Sequence, residues 1–286
     1  MGKKIEKEKW TTTTNKGWLG MQFSKFRDFK FENKSGDYID ELLKSLSNKE
    51  TTTKRFCEIL ENCELYMTNF EKFNDIDEGR YSFYSSHTDP QEIESICQKI
   101  KNMKKDKNIC AFADLKRLEN NENNLSLMWA HYGGSHCGVK IDFRIDPNYD
   151  GDIYKIDYNI HDNTYNINLV DNRLSLSTEN TDSEIINILA TKKPCFKYEC
   201  EYRAISQNNN KLPIIIKKIT LGRRFTKENV YSQENEERSF SDEIKNLAKK
   251  ILEVWKTGVK RGDREPEIWA YKTKYSKEPK KVETEI

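Results

Sequence analysis

The hexapeptide YECEYR sets Glu199, Glu201 and Arg203 at alternate positions. On an extended strand alternate residues share a face, so both carboxylates reach one substrate and a guanidinium stands beside them for an anion. The same residues also suit an exposed strand face of paired charges, which contributes little stability. A second group lies in NNLSLMWAHYGGSHCGVKIDF, residues 123 to 143, which gathers Trp129, His131, Tyr132 and His136. His131 lies off the apolar face and His136 follows a turn, and imidazoles so placed transfer protons or hold phosphate. Trp129 and Tyr132 read as core anchors. His131, His136 and Cys137 with Cys195 and Cys200 lack C-x-x-C or H-E-x-x-H spacing, so no metal is expected.

The elements that carry these residues follow from hydrophobic spacing. MQFSKFRDFKF alternates imperfectly and is rich in β-prone aromatics, which predicts a strand. Ile39, Leu42, Leu43 and Leu46, then Phe56, Ile59 and Leu60, fall at helical spacing, and ELYMTNF predicts a short strand. Asp89 before Pro90 marks a helix start, with Ile93, Ile96, Cys97 and Ile100 as its apolar stripe. NICAF reads as a core strand. Leu125, Met128, Trp129 and Tyr132 mark one face of a short helix ended by Gly133 and Gly134, and CGVKIDF alternates as a half-buried strand with Lys140 and Asp142 outward. SEIINILATKKP predicts a helix stopped before Pro194, CFKYECEYRAIS and LPIIIKKITLG predict strands, and a helix starts near Ser241.

The fold class expected is α+β: a mostly antiparallel central sheet flanked by helices. Residues 1 to 20 read as an extension and 21 to 258 as a single domain, with an irregular insertion near 144 to 182. Residues 259 to 286 read as a charged, solvated tail. The 49 basic and 47 acidic residues leave a net charge of +2, so global charge gives no case for nucleic acid. No apolar run approaches the roughly 18 residues a bilayer span needs, so no membrane partner and a cytoplasmic location are expected. Seven cysteines, an odd number in a long chain, point to reduced thiols.

KFRDF, LYMTNFEKFNDIDEG, LSLMWAHYGGSHCGVKIDF, TKKPCFKYECEYRAI and IIIKKITLG occur in an order that resembles the bacterial proteins grouped as domain of unknown function 2971. Those proteins read K-Y-R, F-N-D-P-F-E, L-W-x-H-Y-A-x-x-H-x-G, Y-E-x-E-W/Y-R and I-x-L-G. Ile76 stands where they carry proline and Gly133 where they carry alanine. The resemblance implies a fold family and leaves function to the site.

The E-x-E is also similar to the acidic motif of arginine-directed ADP-ribosyltransferases. That similarity implies Glu201 as the catalytic carboxylate, Arg27 as the early-strand arginine, and Ser82 or Ser85 of YSFYSS as the serine. The resulting expectation is a nucleotide cleft taking NAD. Glu201, Glu199 and His131 would be catalytic, and Arg27, Asn74, Asp75, Tyr132, His136 and Arg203 would hold the nucleotide, with Asn74 and Asp75 fixing either the ribose or their own loop. A nucleic acid or protein could be the acceptor. The alternative is a non-catalytic nucleotide or nucleic-acid-binding module, its Lys/aromatic tail adding contacts and a protein partner acting with it.

Overall fold

The computed structural model describes residues 17–29, 31, 38–73, 79, 81–83, 89–159, 165–167, 178–226, 239–258 and 264–284. In chain order the first half runs β1 (Phe23–Arg27), α1 (Tyr38–Asn48), α2 (Thr51–Asn62), β2 (Glu64–Tyr66), β3 (Thr68–Asn69), β4 (Tyr81–Phe83), α3 (Pro90–Lys105), β5 (Asn108–Asp114), α4 (Leu115–Glu119) and α5 (Glu122–Tyr132). The second half runs β6 (Val139–Ile145), β7 (Asp152–Lys155), β8 (Tyr165–Ile167), α6 (Thr178–Leu189), β9 (Glu201–Ser206), β10 (Lys211–Leu221), α7 (Asp242–Thr257), β11 (Glu267–Ala270) and β12 (Lys280–Lys281).

The main sheet has the order β12-β11-β10-β6-β1-β5-β9-β7, with β2 added to β10 and β3 to β5. Its pairings are antiparallel except β10 with β11. The class is therefore α+β, and β6 and β9 share one sheet as their alternation predicts. β4 and β8 form a separate parallel pair.

Strand register decides which side chains can meet. Arg27 pairs with Val139, Lys25 with Ile141 and Phe23 with Phe143, so these residues share one face. That face belongs to the main core with α1, α2 and α7, and it buries Phe23, Phe56, Ile141, Phe143, Leu247 and Ile251. Ser24 and Phe26 point the other way, together with Ala113, Glu201 and Arg203. Over this second face Phe26, Ala113, Leu118, Met128 and Trp129 form one cluster, and Ile100, Ile109, Ile185, Ile188, Leu189 and Ile205 another. Phe23 and Phe26 anchor opposite faces, which is why the alternation of the first strand is imperfect. Trp129 is 1 % exposed and meets Phe26 edge to face at 5.1 Å.

Local signals hold at several ends. Asp89 accepts a hydrogen bond from the Gln91 N–H at the start of α3, and Ser241 does the same for Ile244 at the start of α7. All seven cysteines carry free thiols. No helix among the described residues is long and apolar enough to cross a membrane.

Three expectations need correction. Residues 198 to 205 are not one strand: Pro194–Glu199 is a 3-10 helix, Cys200 is left-handed at φ 49°, and the strand starts at Glu201. β6 is not half-exposed, because Lys140 and Asp142 are buried on the second face. Asp142 accepts from Ser24 Oγ at 2.6 Å and pairs with Lys140 at 3.1 Å and Lys218 at 3.2 Å. The tail is not solvated throughout: β11 pairs with β10, and Ile268, Ala270, Tyr271 and Val282 are buried.

Candidate functional site: a buried carboxylate pair

The 3-10 helix and the left-handed Cys200 bring Glu199 and Glu201 together by a route a straight strand would not take. Pro194 starts that helix, Cys200 turns the chain, and the Cys200 carbonyl accepts from Asp114 N–H at 3.0 Å as β9 enters the sheet. Lys192 comes from the segment after α6. That segment is tied to Asp157 by two backbone hydrogen bonds, Asp157 N–H to Ala190 O at 2.9 Å and Lys192 N–H to Asp157 O at 3.0 Å.

Lys192 Nζ donates to Glu199 Oε2 at 2.7 Å and to Glu201 Oε2 at 3.1 Å. Glu201 Oε1 accepts from Arg203 Nε at 2.6 Å, and Glu199 Oε1 accepts from the Tyr132 hydroxyl at 2.7 Å. Arg203 also donates through Nη1 to the Leu189 carbonyl at 2.5 Å, at the C-terminal end of α6 where the helix dipole favours a cation. The Tyr158 hydroxyl accepts from the Glu201 backbone N–H at 3.1 Å.

Glu199 and Glu201 are each 4 % exposed and Arg203 is fully buried, so the exposed-face alternative for YECEYR is overturned. Buried in this way, the two carboxylates have different electrostatics. Burial pushes the Glu199 carboxyl up to about 7, the neighbouring Glu201 charge adds to the rise, and Lys192 opposes it. Burial alone would raise Glu201 as well, but Arg203 and then Lys192 outweigh it and hold that group down at about 2. Tyr132 is pushed well above the ordinary tyrosine range, first by burial and then by the Glu199 charge. The arrangement thus contains one permanently charged carboxylate and one that titrates near neutrality, the pattern that separates acid–base roles in two-carboxylate sites.

His131 is exposed, its ring 5.8 Å from Tyr198 and 6.3 Å from Tyr132. The fold therefore brings His131, Tyr132, Glu199, Glu201 and Arg203 to one region. Arg27 is not among them. It stands on the opposite face of the sheet, against α2, and alternation on β1 sends it there. His136 is also apart: left-handed at φ 69°, it stacks on Trp129 at 4.8 Å. Burial, with Arg223 and Arg224, lowers its imidazole to about 4, so it is neutral at neutral pH. Asn74, Asp75 and Ser85 lie outside the described residues, as does the side chain of Ser82. Phe73, just before Asn74, packs on the Arg203 guanidinium at 5.4 Å.

Lys192 and Tyr158 were not picked out from sequence. Lys192 is one of two lysines before Pro194 and Tyr158 sits in an Asn/Asp-rich stretch, so no periodicity marks either. Among the described residues no three His, Cys, Asp or Glu side chains gather as metal ligands. Set against protein-family models, curated proteins and solved structures, the chain matches none of them.

Proposed function

We propose that the chain is an enzyme of the glycosyl-transfer or glycosyl-hydrolysis type acting on the N-glycosidic bond of a nucleotide or nucleoside. NAD, implied by the resemblance of the E-x-E motif, is the first compound to test. The observation that carries this is Glu199 held between Tyr132 and Lys192 beside a charged Glu201. Cleaving a nicotinamide–ribose bond develops positive charge at the sugar, and the departing ring leaves neutral without needing a proton. Glu201 supplies fixed negative charge at the site, and Glu199 takes the proton of the attacking water or acceptor hydroxyl. In this reading substrate would approach past exposed His131 and half-buried Tyr198.

The nucleotide's phosphates fit this place poorly. Arg203 is fully buried and committed to Glu201 and Leu189, and Arg27 faces the other way. On this reading the riboside half is the recognised part, and nicotinamide riboside is expected to be cleaved at a rate within about tenfold of NAD. A second reading has its own observation: the cluster's charges pair with one another, as in a buried clasp that ties α6, β9 and α5 within a non-catalytic binding module. Nicotinamide release from both compounds, with calorimetric binding measured alongside, separates the two. Release that falls in Glu199→Gln supports the enzyme. Binding without release supports the module, and neither binding nor release removes the nucleotide from the account.

A further inference from the structure

The cavity that Arg27 lines is separate from the carboxylate pair. It holds about 210 Å³ between the end of β1, α2, β2 and the start of β10, with Arg27, Arg55, Glu58, Glu64, Tyr66 and Lys211 in its wall. The two carboxylates already have cations: Glu58 pairs with Arg55 at 3.3 Å and Glu64 with Lys211 at 2.9 Å. Among the described residues the Arg27 side chain has neither a hydrogen bond nor an ion pair. It is half-buried, and burial followed by the like charge of Arg55 disfavours its cation. A guanidinium does not shed its proton at physiological pH, and the Glu58 carboxylate that favours this cation is shared with Arg55.

We propose that this cavity binds a small organic phosphate, its phosphoryl group on Arg27 and its organic part against Ile59 and the Tyr66 ring. Arg55 and Lys211, each paired with a carboxylate, have side chains 56 % and 51 % exposed, so either can share its charge with a ligand at the opening without unpacking the core. Three cationic arms around one opening suit a tetrahedral dianion better than a monocarboxylate. Tyr66 is 50 % exposed and already carries the Arg55 guanidinium 4.5 Å from its ring centre, which makes an aromatic wall beside the charge. The volume exceeds a bare phosphate and falls below the roughly 300 Å³ at which pockets for larger ligands begin.

The test is titration calorimetry of the full chain with phenyl phosphate, inorganic phosphate and benzoate. Phenyl phosphate is expected to bind most tightly, inorganic phosphate more weakly, and benzoate at least about tenfold more weakly than phenyl phosphate. Arg27→Gln is expected to weaken phenyl phosphate by at least about tenfold, and Arg55→Gln by a smaller factor. Arg55 is solvent-facing, so its variant keeps the test open if Arg27→Gln does not fold. No binding of either phosphate, benzoate binding as tightly as phenyl phosphate, or affinity unchanged in the variants would overturn the proposal.

Discussion

Glu199 and Glu201 differ by one turn of backbone and by the partners that turn provides. Glu201 is held by Arg203 and Lys192, whereas Glu199 shares Lys192 and otherwise has a neutral tyrosine hydroxyl. The two groups act on stability with opposite signs. Glu199 titrates higher in the fold than unfolded, so its contribution is full below the ordinary carboxylate range and is lost as pH rises through about 7. Glu201 titrates lower, so its contribution is present above that range and is lost as pH falls towards about 2. Glu199→Gln stays neutral, so its melting temperature gains on the parent's between about pH 5 and about pH 8. A gap constant across that interval shows that Glu199 does not titrate there. Trp129 packs on Phe26 and is stacked by His136, so Trp129→Ala is expected to cost about 3–5 kcal/mol in denaturant unfolding.

Helices were the most legible elements, because Asp89 and Ser241 act as caps by chemistry local to the sequence. Strand faces were less so. Alternation marks Lys140 and Asp142 as turned away from the main core, but charge at those positions reads as solvent, and here the second face carries a helix layer and buried ion pairs instead. In CFKYECEYRAIS the alternation of Tyr198, Cys200 and Tyr202 runs through a left-handed residue that periodicity does not register. The site was legible as a set of residue types but not as a geometry: Glu199 and Glu201 meet through Lys192, and Arg27 is excluded by the parity of its strand position. The last strands were hidden by the lysines around them, although Ile268 and Ala270 alternate with Glu267 and Trp269. A chain ending at residue 258 would leave the edge of β10 bare and remove Ile268, Tyr271 and Val282 from the core. It is expected to partition into the insoluble fraction on expression, and recovery as a soluble protein with the parent's melting temperature would contradict this.

Across the whole molecule one sheet divides two chemistries. The face under α1, α2 and α7 is apolar apart from Lys25 and the Arg27 end, and the face under α4, α5 and α6 carries the buried ion pairs. Both helix layers pack on the same strands, so unfolding followed by tryptophan fluorescence and by far-ultraviolet circular dichroism is expected to give coincident transitions. Separated midpoints would mean that one helix layer releases before the sheet. The carboxylate pair sits where the second layer meets β9, where Arg203 and Lys192 keep Glu201 charged while burial lets Glu199 titrate near neutrality. The pH profile of nicotinamide release tests that role directly. The parent rate is expected to rise with pH through about 7 as Glu199 loses its proton, and Glu199→Gln to be about 100-fold slower with that rise abolished. No release by the parent at any pH, or a variant with the parent's rate and profile, would contradict the assignment of Glu199 as the proton-accepting group.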